Sequence, residues 1–303
     1  MIETNIDISL VIPTKGRADA IGNALTSISL QSVNVREVVI VDGSPQSMKD
    51  HFSDNVFGDC PNNPCIIYCH APEDHGLTAA RNRGIRASSG SLVQFLDDDA
   101  VLDPEYFRRL LPVFDSPDVG GASGHVIEPT RKVSALKRVF FRFFYIGSFR
   151  QIREETFLRP GIGPKRSNIL PGVGIYRREV FDSFLFDENL TGPCSGEDVE
   201  FSYRVGKIWK LMIEPSAKVY HYPSPSERLS TRRNFANKVT FYYYHFHKNI
   251  DKTLLAWIAY IWLNIGFVLH SLTTMRGSAV WGVCDGLWSI LHESSNRKIS
   301  PGI

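Results

Sequence analysis

Hydrophobic and polar positions divide the chain into three stretches. From residue 6 to 130, short apolar runs alternate with helical patterns. Ile8-Ser9-Leu10-Val11-Ile12-Pro13 is an apolar run stopped by a breaker, which predicts a buried strand. Between Asp19 and Ser29, Ile21, Leu25 and Ile28 recur at helical spacing. Glu37 to Asp42 predicts a second strand, closed by Gly43-Ser44-Pro45. Ile66-Ile67-Tyr68 predicts a third and Ser91 to Leu96 a fourth. A helix is expected from Leu77 to Ala87, entered from Gly76. Another opens at Asp103-Pro104, with Asp103 as its N-cap. Strands alternating with helices predict an α/β fold, a mostly parallel sheet with helices on both faces.

Residues 131–178 break that alternation. In Ala135 to Phe149, Leu136, Phe140, Phe143 and Gly147 share one helical face, with Lys137, Arg138 and Arg142 among them. This pattern suits either a membrane-interface helix or a helix docked on the core. Residues 250–292 are apolar. Thr253 to Met275 contains no Asp, Glu, Lys or Arg and as a helix would reach ~34 Å, against the ~30 Å of a bilayer core. Asn264, Gly266, His270 and Ser271 dilute it, and Trp257, Tyr260 and Trp262 are interfacial types. A single span, a re-entrant or monotopic helix and a buried core helix all fit. A second apolar stretch at 279–291 favours membrane association. Lys238, Lys248 and Lys252 precede the segment and would hold the N-terminal body on the cytoplasmic side.

Composition narrows the function classes. A length of 303 residues allows one large or two ordinary domains. With 34 Lys and Arg against 32 Asp and Glu, the near balance gives no support for a nucleic-acid partner. Five cysteines, an odd count, suit a reducing compartment. Cys60, Cys65, Cys69 and His70 lie close together, but their spacing fits no common zinc finger, and they are expected to be ordinary thiols of a loop and strand. Met1 to Asn5 lacks the basic start and apolar run of a signal peptide, so the catalytic part is expected not to be secreted.

The candidate chemistry centres on Asp97-Asp98-Asp99, which follows the fourth strand. Three adjacent carboxylates repel one another, and hard oxygen ligands suit Mg²⁺ or Mn²⁺ with a pyrophosphate. An acidic turn capping the next helix is the alternative. Asp42 ends the second strand on the same edge, where it could accept from a nucleobase or ribose, or simply form an Asx turn before Gly43. Pro13 and Thr14 end the first strand there, followed by Lys15 and Arg17. Arg81 could reach a phosphate or a base, or make a surface ion pair. In the segment 190–200, Glu197 and Asp198 open a helix, either as dipole caps or as a general base for an acceptor hydroxyl. Lys218-Val219-Tyr220-His221 reads as a strand ending in a histidine, structural or ligating.

These landmarks together resemble the family-2 glycosyltransferases of the GT-A fold over about residues 7–225. Val11-Ile12-Pro13-Thr14, Val41-Asp42-Gly43-Ser44 and the helix from Gly76 through Ala80-Arg81-Asn82-Arg83-Gly84 are similar to the family's motifs. So are Asp97-Asp98-Asp99, as its D-x-D, and Phe186-Asp187-Glu188 leading to Gly196-Glu197-Asp198. The resemblance implies a Rossmann-like mixed, mostly parallel sheet and a C-terminal helical, apolar extension. It implies a catalytic domain at 1–225, with a donor part to about 130 and an acceptor part over 131–225, and a membrane-associated region at 226–303.

Implied roles follow residue by residue. Pro13, Thr14, Arg17, Asp42, Arg81, Asp97 and Asp98 would bind the donor nucleotide, Asp42 at the base and Asp97 on the ribose side. Asp99 and His221 would hold Mn²⁺ or Mg²⁺. Asp198 would be the catalytic base and Glu197 its neighbour. Gly172, Val173 and Gly174 would border the acceptor; Gly174 stands near where many relatives carry Asn, so the acceptor pocket differs. The implied activity is inverting transfer of one hexosyl or deoxyhexosyl group from a UDP-, dTDP- or GDP-sugar to a glycan or lipid-linked hydroxyl. Surface or capsular polysaccharide, O-antigen or glycolipid synthesis would be its setting, at the inner face of the plasma membrane. A sugar-nucleotide nucleotidyltransferase is disfavoured by the short Thr14-Lys15-Gly16-Arg17 loop. A non-catalytic sugar- or lipid-binding subunit is disfavoured by the intact acidic residues. A processive polymerase is disfavoured because 230–235 lacks the Gln-x-x-Arg-Trp tryptophan.

Overall fold

The computed structural model describes residues 7–51, 64–74, 76–128, 135–149, 163–191, 196–223, 230–273 and 276–293. Cys60 of the proposed thiol cluster lies outside them. The strands are β1 (Ile8–Thr14), β2 (Glu37–Asp42), β3 (Cys65–His70), β4 (Leu92–Phe95), β5 (Ala100–Leu102), β6 (Val119–Ile127), β7 (Lys165–Ser167), β8 (Ile175–Arg177) and β9 (Lys210–His221). The helices are α1 (Ala18–Ser29), α2 (Leu77–Ala87), α3 (Tyr106–Leu110), α4 (Ala135–Phe144), α5 (Glu197–Val205), α6 (Thr231–Asn249), α7 (Leu254–Thr273) and α8 (Gly277–Glu293).

One sheet runs β3-β2-β1-β4-β8-β6-β9-β5, with β7 pairing the start of β9. β1 is parallel to both β2 and β4, and β2 to β3. The second half is mixed: β8 is antiparallel to β4 and β6, β6 is parallel to β9, and β5 is antiparallel to β9. Pro13 is tolerated in the central strand β1 because pairing with β4 ends at Val11–Phe95, so its missing N–H breaks no bond on that side.

Side-chain alternation places helices on both faces. Leu10 and Ile12 pack with Ile21, Leu25 and Ile28 of α1 and with Tyr106 and Phe107 of α3. Val11, Val39, Val93 and Phe95 pack with Ala80 and Ile85 of α2 and with Phe201 and Val205 of α5. A third core joins α4, α6, α7 and α8 through Phe141, Phe144, Tyr242, Phe246, Leu263, Phe267 and Val283.

The structure departs from the sequence expectation in two places near the site. Asp103 does not cap α3, whose N-cap is Glu105. Instead its backbone carbonyl accepts from Tyr106 N and its Oδ1 from Glu105 N, closing a turn after β5. Within residues 131–178, expected only to break the alternation, β8 forms and is inserted antiparallel beside β4.

α2 lies close against β1. A Cβ at Gly84 would stand 2.2 Å from Val11 Cγ1. Gly84→Ala should therefore lower stability in urea unfolding by about 1–3 kcal/mol, despite alanine's ~1 kcal/mol advantage in helices. Adding Val11→Ala should recover part of that loss in a double-mutant cycle.

Candidate active site

The carboxyl ends of β1, β2 and β4 meet on one edge, the position where open α/β sheets receive ligands. His221, the last residue of β9, is brought there by its pairing with Ala100 at the start of β5.

The three consecutive aspartates diverge. Asp98 turns inward, accepts from Thr14 Oγ1 at 2.7 Å and pairs with Arg17 at 3.1 Å. Burial pushes its carboxyl up to about 6, although Thr14 and Arg17 draw it back. Asp99 turns outward to His221 Nε2 at 3.1 Å, with Arg17 at 3.6 Å. Burial alone would raise Asp99, but the hydrogen bond and charge of His221, with Arg17, outweigh it and hold its carboxyl below the usual range. His221 is pushed up to about 10, first by Asp99 and then by Glu128, whose carboxylate lies 3.9 Å from Nδ1. Asp97 faces Arg81 at 3.2 Å.

Asp97, Asp99 and His221 each offer one ligand atom, all within 4.8 Å of one another. Two carboxylate oxygens and an imidazole nitrogen form a donor set that fits a divalent cation. Asp97, expected on the ribose side, thus joins this cluster, while Asp98 is turned away from it towards Thr14.

Arg81 connects this cluster to the second acidic pair. Its guanidinium, 1% exposed, bridges Asp97 and Glu197, the latter at 3.1 Å, and lies against the rings of Phe95 and Phe186. Burial would lower its pKa; Glu197, Asp97 and Asp198 outweigh that and hold it fully charged. Glu197 and Asp198 are both pushed above the usual carboxylate range, foremost by burial. Glu197 has both oxygens engaged, Oε1 by Arg81 and Oε2 by Gly196 N. Asp198, less buried, accepts from Val199 N through Oδ1.

The remaining expected residues gather around these. Gly172 sits on Arg81: a Cβ there would lie 3.0 Å from its Nη2. Val173 O accepts from Gln94 Nε2 and Gly174 O from Phe95 N, so this loop is held to β4. Asp42 is fully buried and accepts from Ser44 N, Met48 N and the Tyr68 hydroxyl. Burial would raise its pKa, but these hydrogen bonds keep it below its usual value.

Sequence reasoning missed three contributors. The Arg81–Glu197 bridge joins residues 116 apart and leaves no local trace. Asn82 donates to Phe186 O and accepts from Phe186 N, both at 2.9 Å, pairing with that turn as a strand neighbour would. Glu128 stands behind His221. The run Ala80-Arg81-Asn82 was the available signal for Asn82. On β3, Cys65 and Cys69 are free thiols and His70 Nε2 lies 2.9 Å from Ser44 O.

A family model described as "Glycosyl transferase family 2" matches residues 9–185. An uncharacterized glycosyltransferase, YwdF, of Bacillus subtilis is 25% identical over 216 residues, 71% of this chain and 73% of that protein. The pre-mycofactocin glycosyltransferase of Mycobacterium tuberculosis is 27% identical over 218 residues, 71% of this chain but 42% of that protein. Among solved structures, the mannosyltransferase PcManGT of Pyrobaculum calidifontis, in complex with GDP-Man and Mn²⁺, superposes with a TM-score of 0.61 at 15% identity, covering 93% of this chain and 87% of that one. TarS residues 1–349 of S. aureus, in complex with UDP-GlcNAc, gives 0.55 at 14% identity, covering 97% and 89%.

Arg81→Met should cost about 3–5 kcal/mol near neutral pH, because it leaves the buried Glu197 without its cation. Glu197 already has a raised pKa, so it binds its proton more readily in the folded state, and stability attributable to it falls as pH rises. The penalty of Arg81→Met should therefore be larger at alkaline than at mildly acidic pH, read by urea unfolding at both.

Proposed function

This chain belongs to glycosyl transferase family 2, and on that premise we propose an inverting enzyme that moves one hexosyl or deoxyhexosyl group from a nucleotide-diphospho-sugar to a hydroxyl of a glycan or lipid-linked acceptor. One observation carries the reading: Arg81 ties the cation cluster of Asp97, Asp99 and His221 to the helix that bears Asp198. Donor chemistry and acceptor chemistry are thereby held to one another. Residues 1–225 are read as the catalytic body, and its setting as the cytoplasmic face of a membrane.

Asp97, Asp99 and His221 would hold the divalent ion; the imidazole nitrogen favours Mn²⁺ over Mg²⁺. When bound, such an ion offsets charge on the diphosphate as the sugar bond breaks. GDP-Man and Mn²⁺ in PcManGT and UDP-GlcNAc in TarS support a nucleotide-sugar donor. Thr14 and Arg17 brace Asp98 and so fix the loop that presents Asp97 and Asp99. Asp42 serves the nucleoside pocket by holding Ser44 and Met48 in place, since its oxygens are taken up by their N–H groups and by Tyr68. The loop of Gly172, Val173 and Gly174 borders the acceptor.

Asp198 is assigned as the base. It takes the proton of the acceptor hydroxyl as that oxygen attacks the anomeric carbon opposite the departing diphosphate. A single displacement inverts the configuration. Glu197 has both oxygens engaged and is assigned to position the base.

Donor hydrolysis tests the assignment without a known acceptor. Purified protein with Mn²⁺ and a panel of nucleotide-sugars should release nucleoside diphosphate from one donor. Asp99→Asn should abolish metal-dependent nucleotide binding by calorimetry. Asp198→Asn should keep that binding and lose about 10²–10⁴-fold in turnover; normal turnover would remove Asp198 from its role. A base must be deprotonated, and Asp198 is raised above its ordinary value. Turnover should therefore decline on acidification at a higher pH than an ordinary aspartate would set. Silence across the whole panel, with no nucleotide binding, would point to a non-catalytic sugar-binding protein.

A further inference from the structure

The C-terminal helices have inverted polarity. Around α7, Ala256, Ala259, Leu263, Gly266, Phe267 and Ser271 face inward. The opposite stripe, Leu254, Ile258, Ile261, Ile265 and Leu272, faces solvent with no polar residue in it. Leu254 is 76% exposed there. The described part of α8 repeats the pattern, with Trp281, Leu287, Trp288 and Leu291 on one outward face. Val139 and Phe143, one turn apart on α4, are exposed as well. Large apolar side chains exposed on three helices that share one core mark an interaction site rather than ordinary surface.

We infer that the outward faces of α7 and α8, with the exposed edge of α4, form a monotopic docking surface for a lipid bilayer, α7 lying along the surface without crossing it. Composition selects lipid over a second copy of the chain. Protein interfaces are only about 56–65% apolar and carry hydrogen bonds throughout, whereas the α7 stripe offers no donor or acceptor side chain. Charge agrees. Among the described residues, the exposed Arg142, Lys252 and Arg276 border these helices. Of the acids there whose side chains are described, Asp285 is already paired with Arg232 at 2.5 Å and Asp251 is exposed. A basic border with tryptophans suits an anionic headgroup layer.

Packing decides between lying and spanning. A Cβ at Gly266 would stand 2.6 Å from Phe144 Cγ, and Trp262 Nε1 donates to Phe143 O at 2.9 Å, so α7 is seated on α4. Glycines 282 and 286 bring α8 equally close to α6, at Arg232 O and Val239. α6 carries Arg232, Arg233, Lys238, Lys248 and Asn249 and cannot enter hydrocarbon. Helices bound along their inner faces to such a partner can immerse only their outer faces.

The inference deepens the membrane setting proposed above and takes its purpose from it, but vesicle binding is scored without donor or acceptor, so the two can fail separately. The full chain is floated with phosphatidylcholine vesicles, with and without phosphatidylglycerol. Flotation that strengthens with phosphatidylglycerol and weakens with salt is expected. Ile261→Glu with Ile265→Glu, or Trp281→Glu with Trp288→Glu, should each reduce partitioning about tenfold or more and leave donor hydrolysis in solution unchanged. No flotation of the unaltered chain overturns the inference. So does a dimer, seen by light scattering, that these substitutions dissolve in place of flotation. Orientation is read in sealed vesicles with Asp251→Cys and Arg276→Cys, each in a background whose native cysteines are serine. An impermeant maleimide should label both from outside; protection of one until detergent lysis would mean a span and overturn the lying arrangement.

Discussion

A buried guanidinium sets the geometry of the whole cleft. Removing an arginine from water costs several kcal/mol even after relaxation, and the cost is offset only where carboxylates meet it in good geometry. Arg81 meets Asp97 from the β4–β5 loop and Glu197 from the first turn of α5. Neither partner can shift without exposing an unpaired charge. The next residue, Asn82, holds the turn at Phe186 that leads towards α5, and Gly172 leaves room for the guanidinium. Two consecutive side chains of α2 therefore place the Asp97 loop, the Gly172 loop and α5.

The parallel half of the fold was legible because burial there is periodic. β1, β2 and α2 fall almost where the apolar pattern sets them, since their neighbours are local βαβ partners. The second half was less so. β6 reads Val-Gly-Gly-Ala-Ser-Gly-His-Val-Ile, with little apolar signal. Its glycines answer to distant residues: a Cβ at Gly120 would meet Trp209, one at Gly121 Tyr176, and one at Gly124 the Ala217 carbonyl. Such contacts exist only after β8 and β9 have been inserted. α6 was equally hidden, because polar and basic residues interrupt its buried stripe: His245 and Asn249 bond to one another there, and Asn249 also to Glu200 of α5. The D-x-D and the Glu-Asp pair were visible as residues, but their linkage through Arg81 was not.

The aspartate triplet shows why residue type alone underdetermines a site. One turn of backbone sends Asp98 inward and Asp97 and Asp99 outward. The inward group loses hydration and is drawn towards its neutral form, while Asp99 gains His221 and stays ionised. Three adjacent like charges would repel; here they are separated by direction, each with its own cationic partner, Arg81, Arg17 or His221. The outward pair, with His221, is the part with geometry suited to a divalent ion.

α5 is also clamped from behind. Glu200, fully buried on α5, binds Arg204 in a bidentate pair and receives Lys248 and Asn249 from α6, and Lys248 and Tyr244 also hold Asp187. At the other end Gly196, at φ 116°, allows the ring of Phe241 on α6 to approach where a Cβ would clash at 2.4 Å. α6 thus presents one set of residues to α5 and another to α7 and α8. This divided duty explains its weak amphipathicity: each face is polar or aromatic according to its partner. It also means that whatever fixes α7 and α8 in space fixes, through α6, the direction in which Asp198 faces. The orientation of the cleft and the orientation of the apolar surface are one property of the fold.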